Sequence, residues 1–359
     1  MVATAPSRGV FRYANPGVIR WGAGAVAGLG EELERLGASR PAIVSTRSVA
    51  GDEALTGPVR AALPAGAEAA LVVIGQHAPV GEIESAVERL AALGPDVLVS
   101  LGGGSPIDAA KVVAAELGRR SGARVAHVAV PTTLSVAELA EGAGVTDEQG
   151  NKVGRRAEGM LPDAVVYDGA LALRTPLPLW LSTGIRALDH AVEGYLLPGE
   201  HGWSDLLAVE AVRRLFDSLP RALAAPGDPG VRTENQLAAW FGYTQPGAAA
   251  GLSHMLGKQV GARHGIPHGV TSCLLLAPTL RYRARAEGER IASLARASGL
   301  GDDAEGLASA IEALVAELDL PRHLGAFGLD EADLRRAAEG LAGAGHDAGD
   351  LVEVYRAAW

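Results

Sequence analysis

The sequence is poor in the features that mark several common protein classes. Its 359 residues include one cysteine, Cys273, which excludes a disulfide framework within the chain and a Cys-x-x-Cys metal site. Acids outnumber bases by 42 to 32, and this net charge of −10 argues against a nucleic-acid partner, which would favour a basic face. No apolar run approaches the roughly twenty residues of a transmembrane helix, so we expect no membrane association.

The remaining composition is that of a globular protein with room for two domains. Hydrophobic residues make up 48% and charged residues 21%, which is enough apolar surface for a sizeable core. The first twenty residues contain arginines and prolines but no long apolar run, so we expect no signal peptide and a cytoplasmic location. An acidic chain can still contain a local basic pocket, so an anionic substrate is compatible with this charge.

The first half of the chain alternates short β-branched runs with amphipathic segments, which predicts βαβ units and a parallel sheet. Continuous apolar strands such as Leu71–Ile74 fit a sheet that is covered on both faces. Gly150-Asn151 indicates the turn of a hairpin over 145–153. The predicted strands are 42–46, 70–74, 96–101, 125–130 and 164–168, and the helices are 24–36, 82–93 and 106–117.

The second half shows only helical periodicity, over 203–219, 234–243, 304–318 and 331–341. Prolines at 220, 226, 246 and 321 separate these segments. The fold class is therefore α/β plus all-α. We predict an α/β domain over residues 1–165, a helical domain over 166–359, and a ligand in the cleft between them.

A glycine-rich loop follows the strand over 96–101. Gly103 and Gly104 would let a phosphate approach the backbone closely. We expect Ser105 to be the N-cap of the next helix and Asp108 to complete a capping box, so that the free N–H groups would bind a pyrophosphate. Lys111 lies inside that helix, so the loop is not a Walker motif. A tight, well-capped turn without a ligand is the alternative.

A second turn, Pro131-Thr132-Thr133, follows the next predicted strand. Thr132 and Thr133 would place two hydroxyl groups at the carboxyl ends of the strands, where α/β proteins bind ligands. A capped turn without a ligand is an equally good interpretation of this motif alone.

Three histidines on separate segments form a further candidate site. Arg186 and His190 lie four residues apart and share one helix face, as do His254 and Lys258, and His268 follows ten residues later. Imidazole groups suit zinc or iron, so His190, His254 and His268 could bind a divalent metal. Each could equally be an ordinary hydrogen-bonded histidine.

Taken in order, the glycine loop, the Pro-Thr-Thr turn and the histidine segments resemble those of the iron-containing alcohol dehydrogenases. The likeness extends from Gly17 to Trp359, and residues 32–38, 44–46 and 131–152 are similar to the maleylacetate reductase branch. The resemblance implies a dehydroquinate synthase-like fold, with an N-terminal dinucleotide-binding domain and a C-terminal helical domain. It also implies a homodimer.

The resemblance also implies cofactor contacts for NADH or NADPH. Thr46 falls where NAD-selective members carry an acid that holds the ribose hydroxyls, and Arg47 is adjacent, so we expect NADPH to be accepted. Two sets of residues match the family's cofactor positions, namely the pyrophosphate loop Gly103, Gly104 and Ser105, and the cofactor-lining residues Asp108, Thr132, Thr133 and Lys152.

The chain departs from the family at the reaction centre. The family's metal site consists of an aspartate and three histidines; the histidines match His190, His254 and His268, whereas Arg186 matches the aspartate. An arginine cannot ligate a cation, and Lys258 replaces a further family histidine. We therefore predict a site without metal. The residues after Pro-Thr-Thr, 134–140, are altered too.

These departures favour reduction of an oxo- or unsaturated carboxylic acid by NAD(P)H, as in maleylacetate reductases. Arg186 would grip the substrate carboxylate, or else pair with Asp189 or Glu193. A histidine would supply the proton, and Lys258 could add charge or donate a proton. Two alternatives stay open: a metal-dependent alcohol dehydrogenase that uses the three histidines, and a non-redox lyase, cyclase or binding protein on the same scaffold.

Overall fold

A parallel β-sheet forms the centre of the N-terminal half in the computed structural model, which describes residues 14–64, 69–197, 202–243, 251–343 and 345–359. The strands pair in the order β1-β8-β5-β4-β2-β3, and every pairing is parallel. Their carboxyl ends meet at one edge, where ligands bind in open α/β sheets. The strands are β1 (Val18–Gly22), β2 (Pro41–Ser45), β3 (Ala70–Val73), β4 (Val97–Gly102), β5 (Ala126–Pro131) and β8 (Ala164–Asp168).

The predicted strands are confirmed to within one residue at each end, but β1 was missed. It is an edge strand with a mixed sequence in which Trp21 is exposed, so it lacks the continuous apolar run of the central strands. The predicted hairpin is confirmed as a separate antiparallel pair, β6 (Gly142–Thr146) and β7 (Lys152–Arg156), which is longer than predicted.

Helices connect the strands and cover the sheet. The predicted helix 24–36 is a short 3-10 turn, Ala25–Gly28, followed by α1, and two helices after β2 were not predicted. The helices of this half are α1 (Leu29–Arg35), α2 (Arg47–Ala50), α3 (Glu53–Ala61), α4 (Val80–Ala91) and α5 (Gly104–Ser121).

The start of α5 differs from the prediction. Gly103, and not Ser105, is the N-cap, and no side chain caps the helix. Ser105 therefore lies in the first turn, and Asp108 lies beyond the capping-box position. Gly102 has a φ of 135°, which only glycine adopts readily, and this conformation lets the chain turn into the helix two residues earlier than expected.

From Gly169 onward the described chain is helical. Pro220 was expected to end a helix but lies inside α8, near its C-terminal end, where its missing N–H removes a single hydrogen bond. Pro246 falls outside the described residues. The helices are α6 (Gly169–Ala172), α7 (Leu177–Tyr195), α8 (Gly202–Ala224), α9 (Pro229–Gly242), α10 (Leu252–His264), α11 (His268–Ser298), α12 (Ala304–Glu317), α13 (Glu331–Glu339) and α14 (Ala348–Ala357).

Helix α7 is the centre of the helical half. Every residue from Trp180 to Tyr195 is buried, as expected of a helix that other elements surround. Its charged residues must therefore find partners inside the protein. The domain boundary that we proposed between 165 and 166 falls within β8, so a division after Asp168 would keep that strand whole. In the described ranges, no helix combines the length and apolar character that crossing a membrane requires.

Candidate active site

A cleft of about 2010 Å³ runs along the carboxyl edge of the sheet and reaches the helical half. All the candidate site residues line it, although they come from distant parts of the chain, and their chemical roles stay predictions. They are Thr46, Gly103, Gly104, Ser105, Asp108, Thr132, Thr133, Lys152, Arg186, His190, His254, Lys258 and His268.

The glycine loop and the Pro-Thr-Thr turn face each other across a narrow gap. A Cβ atom on Gly103 would lie 3.2 Å from Thr133 Oγ1, and one on Gly104 would lie 3.3 Å from Ser135 Oγ. Both hydroxyl oxygens are buried and have no hydrogen-bond partner in the described structure. The uncapped N-terminus of α5 and two unused hydroxyl groups therefore form a cradle that suits a phosphate group.

Three predicted cofactor residues also tie together the loops around this cradle. Ser105 Oγ accepts a hydrogen bond from His77 N at 2.8 Å, and the Asp108 carboxylate accepts one from Gly144 N at 3.0 Å. Lys152 Nζ donates to Gly144 O at 3.2 Å and lies 3.4 Å from His77 O. Burial raises the pKa of Asp108 above its usual range. Asp108 thus holds the hairpin on α5 instead of capping that helix.

Thr46 and Thr132 stand at the ends of β2 and β5. Thr132 O accepts a hydrogen bond from Thr175 Oγ1 at 2.5 Å, which links this turn to the start of the helical half. Thr46 precedes the exposed Arg47 at the mouth of the cleft. The nearby Asp52 caps α3 and pairs with Arg174 at 2.8 Å, so its carboxylate is already engaged.

The three histidines converge at the other end of the cleft. The ring centroids of His190 and His254 lie 5.7 Å apart, and those of His254 and His268 lie 4.8 Å apart. Tyr243 contacts His190 edge-on, with 5.1 Å between the centroids. Sequence spacing could not show this convergence, because the rings come from α7, α10 and the first residue of α11.

Arg186 lies among these rings and is held by a buried network. Its Nη1 donates to Asp189 Oδ2 at 2.8 Å and to Ser272 Oγ at 3.0 Å, while its Nη2 lies 3.2 Å from His254 Nε2. Asp189 also accepts hydrogen bonds from the hydroxyl groups of Ser253 and Ser272. The alternative pairing with Asp189 is therefore present in the structure. Glu193 pairs with Arg283 at 2.5 Å instead.

This arrangement does not fit a divalent metal ion. The guanidinium group only donates hydrogen bonds, so His254 Nε2 must accept, and the lone pair that a metal would need is engaged. A fixed positive charge beside the rings would also repel a cation. Among the described residues, no group of three or more histidine, cysteine or acidic side chains has the arrangement of a metal site.

The cleft is electropositive although the chain is acidic. Its described lining contains eight arginines or lysines and four acids. Within the part of the chain that the structure describes, Arg155, Arg156 and Lys258 form no ion pair. Burial, followed by the charges of Arg186 and Lys258, lowers the pKa of His268 well below its usual range. Burial also lowers the pKa of Lys258.

Sequence reasoning missed several residues of this site. Ser253 and Ser272 hold Asp189, and Tyr243 packs on His190, where burial raises its pKa to about 12. Serines directly beside a histidine, as in Ser253-His254, and an arginine pair at 155 and 156 were the available signals. Neither pattern is distinctive without the folded structure.

Two family models together match most of the chain. The first, "Iron-containing alcohol dehydrogenase", matches residues 16–169, and the second, "Fe-containing alcohol dehydrogenase family, C-terminal", matches residues 180–350.

Individual relatives point to one branch. The chain is 33% identical to the maleylacetate reductase of Rhizobium sp. (strain MTP-10005), over 94% of this chain and 89% of that protein. It is 30% identical to that of Pseudomonas sp. (strain P51), over 89% and 88% of the two chains. The crystal structure of maleylacetate reductase from Agrobacterium tumefaciens superimposes with a TM-score of 0.84 at 29% identity and covers 98% of this chain and 99% of its own. The chain therefore belongs to the iron-containing alcohol dehydrogenase family, on its maleylacetate reductase branch, and is an NAD(P)-dependent oxidoreductase of that type.

Proposed function

We propose that this enzyme uses NADH or NADPH to reduce an oxo- or unsaturated carboxylic acid, and that it does so without a resident metal ion. The observation that carries the proposal is the position of Arg186, whose guanidinium group lies 3.2 Å from His254 Nε2. In this proposal, the Arg186 guanidinium group supplies the positive charge that the metal ion would supply in a metal-dependent enzyme of this family.

The glycine loop, the uncapped N-terminus of α5 and the Thr133 hydroxyl group together suit the pyrophosphate of a dinucleotide. When bound, the reduced nicotinamide would supply a hydride ion. The substrate carbon that accepts the hydride is either a carbonyl carbon or the end of a conjugated double bond. A proton then joins the carbonyl oxygen or the neighbouring carbon, so that the substrate gains two hydrogens and the dinucleotide is oxidised.

Arg186 keeps enough hydrogen-bonding capacity to contact a substrate. A guanidinium group has five N–H donors, and the bonds to Asp189, Ser272 and His254 use three of them. The two that are left can hold a carboxylate, or the oxygen on which negative charge develops. The network with Asp189 fixes the guanidinium group in position beforehand, so little reorganisation accompanies the reaction.

Lys258 is the better placed proton donor. It lines the cleft one turn beyond His254, and partial burial of its ammonium group, together with the charges of Arg186 and Lys152, lowers its pKa, which favours proton donation. The lowered pKa of His268 disfavours the protonated form that a histidine donor would require. His254 Nε2 already faces the Arg186 guanidinium group. We therefore assign proton transfer to Lys258.

The mouth of the cleft favours acceptance of NADPH. Thr46 carries no charge that would repel a 2′-phosphate, and Arg47 is exposed beside it. We also propose a homodimer in the cytoplasm. The buried free thiol of Cys273 is compatible with a reducing compartment.

The test is a reduction assay with a panel of oxo- and enoic acids and their neutral methyl esters, with NADH and NADPH, before and after treatment with a chelator. We expect oxidation of the dinucleotide with the acids, little with the esters, and no effect of the chelator. Substrates that work equally well as esters would contradict the anionic pocket. No dinucleotide oxidation with any member of a broad panel would favour the non-redox alternative.

A further inference from the structure

The segment 134–142, which follows the Pro-Thr-Thr turn, forms one wall of the cleft beside the glycine loop. We propose that Ser135 in this segment is a further ligand for the pyrophosphate of the dinucleotide, and that Lys111 is the residue that positions it. This inference rests on the dinucleotide binding proposed above and adds a residue pair to it.

Ser135 faces the first turn of α5. Its Oγ would lie 3.3 Å from a Cβ atom on Gly104, which is the first residue of the helix. The oxygen is buried, yet it forms no hydrogen bond with any described residue. A buried hydroxyl group without a partner is costly, so a ligand atom in the gap above Gly104 would satisfy it.

Thr133 provides an independent indication that the gap holds a ligand. The Thr133 side chain is more than nine-tenths buried, and its Oγ1 also lacks a partner among the described residues. A Cβ atom on Gly103 would lie 3.2 Å from this Oγ1. Two hydroxyl groups without partners thus face two successive glycines. These glycines lie at the uncapped N-terminus of α5, a helix of eighteen residues. Hydroxyl and backbone N–H donors on opposite sides are what a phosphate group requires.

Lys111 holds the segment in this position. Its side chain is 0% exposed, and its Nζ donates to the carbonyl oxygens of Ala137 at 2.5 Å, Ala140 at 2.6 Å and Gly142 at 2.9 Å. These three bonds use the full donor capacity of an ammonium group. Lys111 lies on α5, so the helix that begins at the glycine loop also fixes the segment that carries Ser135 on the other side of the gap.

The backbone of the segment needs such support. Val136, which lies between Ser135 and the first carbonyl that Lys111 binds, has a φ of 54°. A β-branched residue is unfavourable in this left-handed region and persists only where its surroundings hold it. Without the bonds of Lys111, we expect Val136 to relax and Ser135 to move away from Gly104.

The experiment compares the dissociation constants of NADPH and ADP-ribose, which share the pyrophosphate, for the wild type and for Ser135→Ala. Binding of these ligands to the wild type tests the proposed dinucleotide binding, independently of the role of Ser135. A hydrogen bond to a charged group is worth about 10-fold to 100-fold in affinity, so both ligands should bind Ser135→Ala more weakly by about that factor. Ser121→Ala, at the far end of α5, is the matched control and should bind as the wild type does.

Lys111→Met tests the positioning role. It should weaken both ligands in the wild-type background, but its effect should be much smaller when Ser135 is already alanine, because the two residues act through one contact. Lys111→Arg keeps the charge but cannot reach three carbonyls in the same way, so its effect on binding should resemble that of Lys111→Met. It replaces Lys111→Met in the experiment if the methionine variant does not fold.

Unchanged affinity of Ser135→Ala for both ligands, while the wild type binds them, would overturn the inference and leave the proposed function intact. Weaker binding of NADPH with unchanged binding of ADP-ribose would also overturn it, because that would place Ser135 at the nicotinamide. An equal effect of Lys111→Met with and without Ser135 would refute the positioning role.

Discussion

Replacing Arg186 by methionine should both destabilise the protein and abolish its activity. The substitution removes the cation that lies 2.8 Å from the Asp189 carboxylate, in a pair whose side chains are 4% and 1% exposed. Breaking a buried ion pair from one side costs about 3–5 kcal/mol, because the remaining charge has lost its partner. The hydroxyl groups of Ser253 and Ser272 still donate to Asp189, so we expect a value near the lower end.

The loss should depend on pH in a defined direction. Burial already raises the pKa of Asp189, and removal of Arg186 raises it further. A carboxyl group whose pKa is higher in the folded state than in the unfolded state destabilises the fold as the pH rises between those two values. Urea unfolding of Arg186→Met should therefore show a larger deficit at pH 8 than at pH 5.

A second substitution separates the structural effect from the chemical one. Adding Asp189→Asn to Arg186→Met removes the unpaired charge and should recover most of the free energy of unfolding. It should not recover kcat/KM for the acid substrate, because the cation at the reaction centre is still missing. A single variant with wild-type stability, or a double variant with restored activity, would refute this account of the network.

Three further predictions address charge and pH. Lys258→Met should lower kcat/KM for the acid substrate about 10-fold or more, which is the value of one charged hydrogen bond. Arg214→Met, outside the cleft, is the control and should leave kcat/KM unchanged. Equal effects of the two substitutions would contradict the role of Lys258. Arg47→Glu should shift the kcat/KM preference from NADPH towards NADH, and an unchanged ratio would contradict the role of Arg47. Burial raises the pKa of Glu138 to about 7, so this carboxyl group should lower wild-type stability by about 3 kcal/mol between about pH 4.5 and 7. Glu138→Gln should show a decline in urea unfolding that is smaller by about that amount, while Glu193, whose pKa burial also raises to about 7, keeps its own contribution. A decline identical to that of the wild type would refute the assignment.

The sheet was predictable because its central strands are continuous apolar runs that end in distinctive turns. The strand β5, for example, was predicted to within one residue, because Val128–Val130 leads directly into Pro131-Thr132-Thr133. The edge strand β1 was not predicted, because one side of it is free and its side chains need not be apolar. Runs of apolar residues in a sequence indicate buried strands, and an edge strand is only partly buried.

The sequence indicated residues that the structure brings to one cleft, and their chemical roles stay predictions. The contacts that these residues make could not be predicted. The family pattern identified Arg186 as a departure from a metal site, whereas its bonds to Ser272 and His254 depend on the packing of α7 against α10 and α11. The contacts of Lys111 could not be predicted either. Its place in the helix was evident from spacing, but the three carbonyls that it binds belong to a loop whose path the sequence does not specify.

In the mechanism that we propose, Arg186 takes the place of a metal ion. The most direct measurement is the metal content of the purified wild type and of Arg186→Asp after each is incubated with ferrous or zinc ions and dialysed. We predict that the wild type retains no stoichiometric metal and is equally active with a chelator, and that Arg186→Asp, with an acid beside His190, His254 and His268, gains one bound ion. One tightly bound ion per wild-type chain, with activity lost on chelation, would contradict this role of Arg186.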